Sequence, residues 1–365
     1  MTDPVILPSI KPGEVPFSAI ADIRCRVLPY ALLAPSLHNA QPWRVEFRGR
    51  NRILLFVDRA RLLTHCDPNA RQAMISHGAF LENLELAAKA FGHRADIELF
   101  PGGWPGTNLP PDSMVAAVDL EPDSRVIRDP LFDQIPVRHT NRRVFKKKKV
   151  PVPVAGDLTA AYDFTYVPLG YTGDPDLIAS IADLVTSARE RELADRERLR
   201  ETLNYFRFTD REARASRDGF GLAQSGYGIL LRFLVGTLIL SRKRGEMPDS
   251  SFSRMTVKNT ANEARSAGGY AWLSTKENYR LDQIRTGRAF QRIHLRSTAL
   301  GLALQPMSQI LEGYPEIADL RRDLFECLGM PETHTVQMLF RVGYASPVPA
   351  CGRRDLREIL SPPAQ

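Results

Sequence analysis

Gly78-Ala79-Phe80-Leu81-Glu82-Asn83-Leu84-Glu85-Leu86-Ala87-Ala88 is the middle of a stretch, Ala70 to Phe91, that reads as one long helix. Small residues at this density let its backbone approach a second helix closely, so a partner helix of the same kind is expected. Leu281 to Ala303 supplies one, again built around Gly287, Ala289, Ala299 and Gly301. Around both long helices the order of elements is the same: helix, strand, long small-residue helix, strand. Such repetition suggests units that cannot bury their apolar faces alone. The expected class is α+β, with two related halves at 1–129 and 130–365.

Outward from the first long helix, Ser18 to about Ala34 carries Ile20, Ile23, Val27, Leu28 and Leu32 on one helical stripe and stops before Pro35. Strands are expected at Trp43–Phe47 and Ile53–Val57, turned by Arg48-Gly49-Arg50-Asn51, then at Ala95–Phe100 and Met114–Leu120, with a Gly/Pro-rich loop at Pro101–Pro111. The second half predicts a weak strand at Phe164–Leu169 and a charged helix from Asp174 to about Arg207. A strand or loop follows at Gly268–Thr275, and a clear strand at Val336–Val342. Residues from about 208 to 262 read as an irregular insertion around the apolar run Ile229–Leu240, with the composition of a lid or of a packed structural helix.

Composition excludes several classes. The chain has 365 residues, 43% hydrophobic and 25% charged, which is ordinary for a globular protein with a large core. The net charge is +7, yet its one basic run, Lys146–Lys149, has no interleaved aromatic residue and reads as a solvated linker. No nucleic-acid partner is expected. Cys25, Cys66, Cys327 and Cys351 form no paired motif, so neither a metal centre nor a disulfide framework is expected and a reducing cytoplasm is the natural compartment. Met1–Glu14 lacks the pattern of a signal peptide, and Gly228–Leu240 contains Arg232 and is too short to span a bilayer. There is no G-x-G-x-x-G after a strand, no Walker loop, no G-x-S-x-G and no H-E-x-x-H.

Four stretches place polar groups where the pattern says loop. Pro35-Ser36-Leu37-His38-Asn39-Ala40-Gln41-Pro42-Trp43 offers donors and acceptors suited to the edge of a planar heterocycle, or equally to a capped turn. Arg138-His139-Thr140-Asn141-Arg142 sets two arginines four apart around a hydroxyl, a spacing that can converge on a phosphate or lie exposed. Gly301 to Ser308, with Pro306 and Met307, follows a helix end and can present backbone N–H groups. Gly352-Arg353-Arg354 is a basic tail that matters only if it reaches the same anion.

In this order the four stretches resemble the FMN-dependent nitroreductase superfamily. Pro35 to Trp43 is similar to its P-S-x-x-N-x-Q-P-W loop. Arg138, Thr140 and Arg142 resemble its R-x-S/T-x-K/R segment, and Gly301, Leu302 and Pro306 its G-L-x-x-x-P segment. Arg341-Val342-Gly343-Tyr344 with Arg353-Arg354 resembles its closing strand and basic phosphate contact. The long fused form and the T-N-R segment look most like the Acg-like branch. Ordinary members carry the R-x-S-x-R segment before the Q-P-W loop and bind flavin between two subunits. Here the Q-P-W loop lies in the first half and the other three stretches in the second. The resemblance therefore implies a nitroreductase-like pseudo-dimer in one chain, with one FMN and a lid-like insertion at about 208–262. The implied cofactor contacts are Pro35, Ser36, Leu37, Asn39, Gln41, Arg138, His139, Thr140, Arg142, Pro306, Met307, Ser308, Arg353 and Arg354. Arg138, Arg142 and Arg354 would sit at the phosphate, and Ser36, Asn39 and the Ser308 backbone at the ring edge. No side chain is expected to act as acid or base. The implied activity is NAD(P)H-linked reduction of nitroaromatic or quinone-like acceptors by a monomeric pseudo-dimer or weak homo-oligomer. The alternative is FMN storage without turnover.

Overall fold

The computed structural model describes residues 21–103, 113–162, 165–225 and 249–360. Helix α1 runs Ile23–Ala31, opened by Asp22, whose carboxylate accepts the Arg24 N–H at 2.9 Å. The part of the expected helix at 18–20 lies outside the described residues. Strands β1 (Trp43–Arg48) and β2 (Arg52–Val57) pair antiparallel from Trp43↔Val57 to Arg48↔Arg52. Their turn places Gly49 at φ +53°, in the left-handed region that glycine tolerates. Helix α2 (Arg71–Ala90), β3 (His93–Leu99) and β4 (Met114–Pro122) complete a four-stranded sheet in the order β1-β2-β4-β3. One face carries α1 and α2 over a core that includes Leu28, Trp43, Leu55, Phe80 and Val118.

Next come α3 (Val152–Thr159) and β5 (Leu169–Thr172). Of the strand expected at Phe164–Leu169, Phe164 lies outside the described residues, residues 165–167 form a turn, and the strand begins at Leu169. Within it Gly170 pairs opposite Trp272, where a Cβ would lie 2.1 Å from the indole, so a glycine suits this position. The expected charged helix is two, α4 (Pro175–Ala194) and α5 (Arg196–Tyr205). Asp195 leaves helical geometry between them and caps α5, accepting from the N–H groups of Glu197 and Arg198.

The insertion holds β6 (Phe206–Arg207), α6 (Asp210–Ser216), β7 (Phe220–Gly221) and α7 (Asp249–Arg265). The expected irregularity is thus corrected at its end, where a helix of 17 residues stands. The apolar run Ile229–Leu240 lies outside the described residues. Strands β8 (Gly269–Thr275), β9 (Ala303–Pro306) and β10 (Thr335–Gly343) join β5 in the order β5-β8-β10-β9, with α8 (Arg280–Ala299) and α9 (Ala318–Cys327) between them in sequence. This sheet is covered on both sides. Tyr270 and Leu339 face a core with α4 and α9, while Ala271, Leu273, Met338 and Phe340 face one with α8. The chain continues to α10 (Leu356–Ile359).

The two sheets meet through α2 and α8. A Cβ on Gly78 would stand 2.0 Å from the Ile284 carbonyl oxygen, and one on Gly287 would stand 1.9 Å from that of Ile75. The small-residue expectation is met at these two positions. Ion pairs flank the crossing: Glu82 takes Arg288 at 2.8 Å and Arg292 at 2.9 Å, and Gln291 donates to Asn83 at 2.6 Å. The tail then crosses back. Leu356 and Ile359 enter the first core, and Leu360 bridges to Val45 beside β1. No described helix is long and apolar enough to cross a membrane.

Candidate cofactor site

A cavity of about 160 Å3 lies between the two halves. That is far above the roughly 10–15 Å3 needed for one water, so it is a site rather than a packing defect. The loop after α1 supplies Pro35, Ser36, Leu37 and His38. Ser76 and Ala79 come from α2, Thr140 and Arg142 from the segment after β4, Arg189 and Glu192 from α4. Pro306, Met307, Ser308 and Gln309 close one side. Phe206 and Phe220 from the insertion and Phe252 from α7 close another.

The loop is held in an unusual backbone state. His38, Asn39 and Gln41 have φ of 48°, 55° and 56°, which non-glycine residues seldom adopt. Side chains from far along the chain fix it. Asn39 Nδ2 donates to the carbonyls of Gly219 and Gly352, both at 3.0 Å. Gln41 donates to the Arg217 carbonyl at 2.9 Å and accepts the Arg354 N–H at 2.9 Å. Ser36 Oγ lines the cavity and accepts the Gln41 N–H at 3.0 Å. Asn39 and Gln41 thus lie behind the cavity wall and shape it. The Asn39 Oδ1 is buried without a hydrogen-bond partner among the described residues.

The arginines divide sharply. Arg142 lines the cavity and stacks on Phe220, 4.6 Å from the ring centre. Among the described residues it makes no hydrogen bond or ion pair, and desolvation holds its pKa below the ordinary value. Arg138 is buried with its guanidinium on His294 Nδ1 (3.2 Å) and the Leu33 carbonyl (3.1 Å), its Nε unpartnered. Burial and the neighbouring Arg353 push its pKa down to about 9. Arg353 gathers the carbonyls of Leu32 (2.9 Å) and Leu33 (3.3 Å) beyond the α1 C-terminus and has no carboxylate partner. Arg354 is committed elsewhere, to Asp58 at 3.1 Å and the carbonyls of Gln41 and Trp43. Beside this cluster His139 is pushed down to about 4, by burial first and then by Arg138 and Arg353. His38 falls to about 3, by burial and then Arg189 and Arg142. A buried cation without a counter-charge is costly unless an anion completes the site.

On the opposite side, the Thr140 backbone bridges to Leu304 and the Asn141 N–H donates to its carbonyl at 3.1 Å. The expectation of free donors after Pro306 is met in part. The Met307 N–H is used by the Leu339 carbonyl at 2.8 Å, because residues 303–306 pair with β10. Ser308 and Gln309 open a short 3-10 turn, whose first N–H groups have no partner within it. The Ser308 hydroxyl donates to the Leu339 carbonyl at 3.3 Å.

Sequence reasoning missed the contribution of α7. Phe252, Met255, Thr256, Asn259, Thr260 and Glu263 all line the cavity, at spacings of three and one. This is a helical stripe whose inward positions are mostly polar, so an apolar period could not reveal it. Glu263 accepts from Gln305 Nε2 at 2.8 Å, and burial raises its pKa.

The chain is 30% identical over 355 residues to "Putative NAD(P)H nitroreductase acg" of Mycobacterium tuberculosis, covering 93% of this chain and 95% of that protein. The chain belongs to the nitroreductase superfamily. Within it, the match is to the Acg-like nitroreductases. A second Mycobacterium tuberculosis protein named as an NAD(P)H nitroreductase is 26% identical over 345 residues, with 93% and 91% covered. A protein of Anabaena variabilis described as a nitroreductase is 12% identical with a TM-score of 0.47, over 86% of this chain and 82% of that one. No family model matches.

Proposed function

We propose that this Acg-like nitroreductase is an FMN-dependent NAD(P)H oxidoreductase. The observation that carries the reading is Arg142, a half-buried cation stacked on Phe220 that faces the cavity and, among the described residues, makes no hydrogen bond or ion pair. A phosphate is the anion that the family's flavin brings. Arg142 would hold it, with Arg138 and Thr140 on the same segment and His139 beside them. In this reading Arg353 is the tail residue nearest that role, since Arg354 already has Asp58. Ser36 and Leu37 on one side and Pro306, Met307 and Ser308 on the other would flank the ring, with the free N–H groups of Ser308 and Gln309 as neutral donors. Asn39 and Gln41 act from behind by fixing the loop.

When bound, FMN supplies transfer of an electron pair from reduced nicotinamide to an acceptor. The protein binds, orients and keeps water out. Phe206, Phe220 and Phe252 form the apolar wall that does the last of these. We take the acceptors to be small nitroaromatics or quinones. We divide the chain at 129/130 into two related halves, a pseudo-dimer acting as a monomer in the cytoplasm.

The same aromatic wall favours a second reading, FMN storage, because a covered ring cannot stack on nicotinamide. Anaerobic mixing of the purified yellow protein with NADH or NADPH separates the two. Bleaching of the flavin band within seconds supports the oxidoreductase. A band unchanged over many minutes leaves storage standing, and a colourless protein that takes up no FMN refutes both.

A further inference from the structure

Helix α4 brings an ion pair to the cavity wall. Arg189 and Glu192 stand one turn apart, both buried and both lining the cavity. Arg189 Nη1 donates to Glu192 Oε2 at 2.5 Å. The pair is left incomplete. Among the described residues Arg189 Nε and Nη2 and Glu192 Oε1 make no hydrogen bond. Buried charged groups with unused donors and acceptors are costly unless something completes them. The nearby polar side chains are joined to one another instead. Thr202 Oγ1 lies 3.3 Å from His38 Nε2 and 3.7 Å from Cys66 Sγ, and all three line the cavity.

The place of the pair says what could complete it. Leu193, the next residue of α4, packs with Phe206, Phe220 and Phe252. Arg189 and Glu192 therefore border the aromatic wall proposed to cover the flavin ring. The groups proposed for the ring itself, at Ser36 and Pro306 to Ser308, come from other segments. A flat electron acceptor lying against the wall would turn a substituent toward the pair. Charge then selects among substituents. An anion held by Arg189 would meet the Glu192 carboxylate, a cation held by Glu192 would meet Arg189, and an apolar group would leave both unsatisfied. A neutral hydroxyl satisfies both, because it accepts an Arg189 N–H and donates its own O–H to Glu192.

We infer that Arg189 and Glu192 are the specificity residues for the electron acceptor and select aromatic acceptors that carry a neutral hydroxyl group. This deepens the proposed function and rests on it. The pair binds and orients the acceptor and takes no part in the transfer of electrons.

The test is calorimetric binding to the oxidised, FMN-loaded full chain at pH 7. The probes are 3-nitrophenol, the similarly shaped 3-nitrotoluene and the anionic 3-nitrobenzoate, with kcat/KM for each measured alongside. The wild type should bind the phenol on the order of tenfold or more tighter than the toluene, as hydrogen bonds to charged groups allow, and the benzoate most weakly. Arg189→Met/Glu192→Leu replaces the pair by apolar side chains and should erase the preference for the phenol. Glu192→Gln leaves the Arg189 charge unopposed and should raise benzoate affinity on the order of tenfold. Equal binding of phenol and toluene by the wild type would overturn the assignment. So would an unchanged preference in the double variant, or a double variant of normal melting temperature that has lost its flavin, which would give the pair to the cofactor. The double variant, apolar throughout, decides the matter even where Glu192→Gln does not fold. A yellow protein that reduces all three probes without discrimination sinks only the specificity site, while a protein that never binds FMN takes down the underlying reading as well.

Discussion

Arg142 is where the chemistry of single residues is most exposed to test. Among the described residues its guanidinium has no hydrogen-bond or carboxylate partner, only the Phe220 ring, so Arg142→Met should leave the melting temperature of the flavin-free protein unchanged or raise it. The same change should weaken FMN binding by about 1.5–3 kcal/mol, or about one to two decades in Kd. Fluorescence titration of the flavin-free protein measures this, and an unchanged Kd would remove Arg142 from the phosphate. His38 gives a pH prediction. Burial holds its pKa at about 3 when folded against near 6.5 when unfolded, so both states are neutral only about a unit or more above pH 6.5. Between about pH 6 and 4 only the unfolded chain takes up this proton, and stability falls with pH by about 1.4 kcal/mol per unit from this residue. Urea midpoints at pH 7, 6 and 5 should therefore slope less in His38→Gln than in the wild type, and parallel curves would refute the assignment. The arginine and loop motifs were legible because short-range spacing carries them. The distinct tasks of Arg353 and Arg354 were not, because each depends on partners some 300 residues away in sequence.

At the scale of elements, the crossing of α2 and α8 fixes the distance between the halves. Gly287→Ala would drive a methyl group into the Ile75 carbonyl, and backbone cannot rotate aside as a side chain can. The expected cost is about 3 kcal/mol or more, at the upper end for overpacked sites. Chemical denaturation measures it, and a cost under about 1 kcal/mol would mean that the helices slide apart freely. Long helices and buried strands were readable in sequence because burial imposes an apolar period on them. The helix α7 was not, since Thr256, Asn259, Thr260 and Glu263 turn polar atoms toward a cavity. The break at Asp195 was hidden for a related reason: Asp caps a helix as readily as it decorates one, and the charged flanks look alike either way. Asp195→Ala should cost about 1 kcal/mol, read from the same denaturation curves.

At the scale of the whole molecule, the cavity is lined by α2 and the loop after α1 from the first half, by β9, β10, α4 and the insertion from the second, and the tail fixes the loop from behind. Removing residues 351–365 should release the flavin and lower stability by several kcal/mol. The truncation deletes Leu356 and Ile359 from the first core and frees the loop that Gln41 and Arg354 hold together. Absorbance of the purified truncation near the flavin band, with its melting temperature, checks both. If it stays fully yellow, the tail is not part of the cradle. The pseudo-dimer reading adds that the wild type should sediment as a monomer.

The clamp between Gln41 and Arg354 spans 313 residues of chain. During synthesis at about 5–20 residues per second, the first half would have emerged on the order of 15–60 seconds before Arg354 reaches it. For that interval the strained loop at His38–Gln41 lacks its last clamp, although the carbonyls of Arg217 and Gly219 can reach it earlier. If the loop needs this clamp to hold its shape, the proposed flavin should be captured only after the tail has docked, so that an occupied site marks a finished chain.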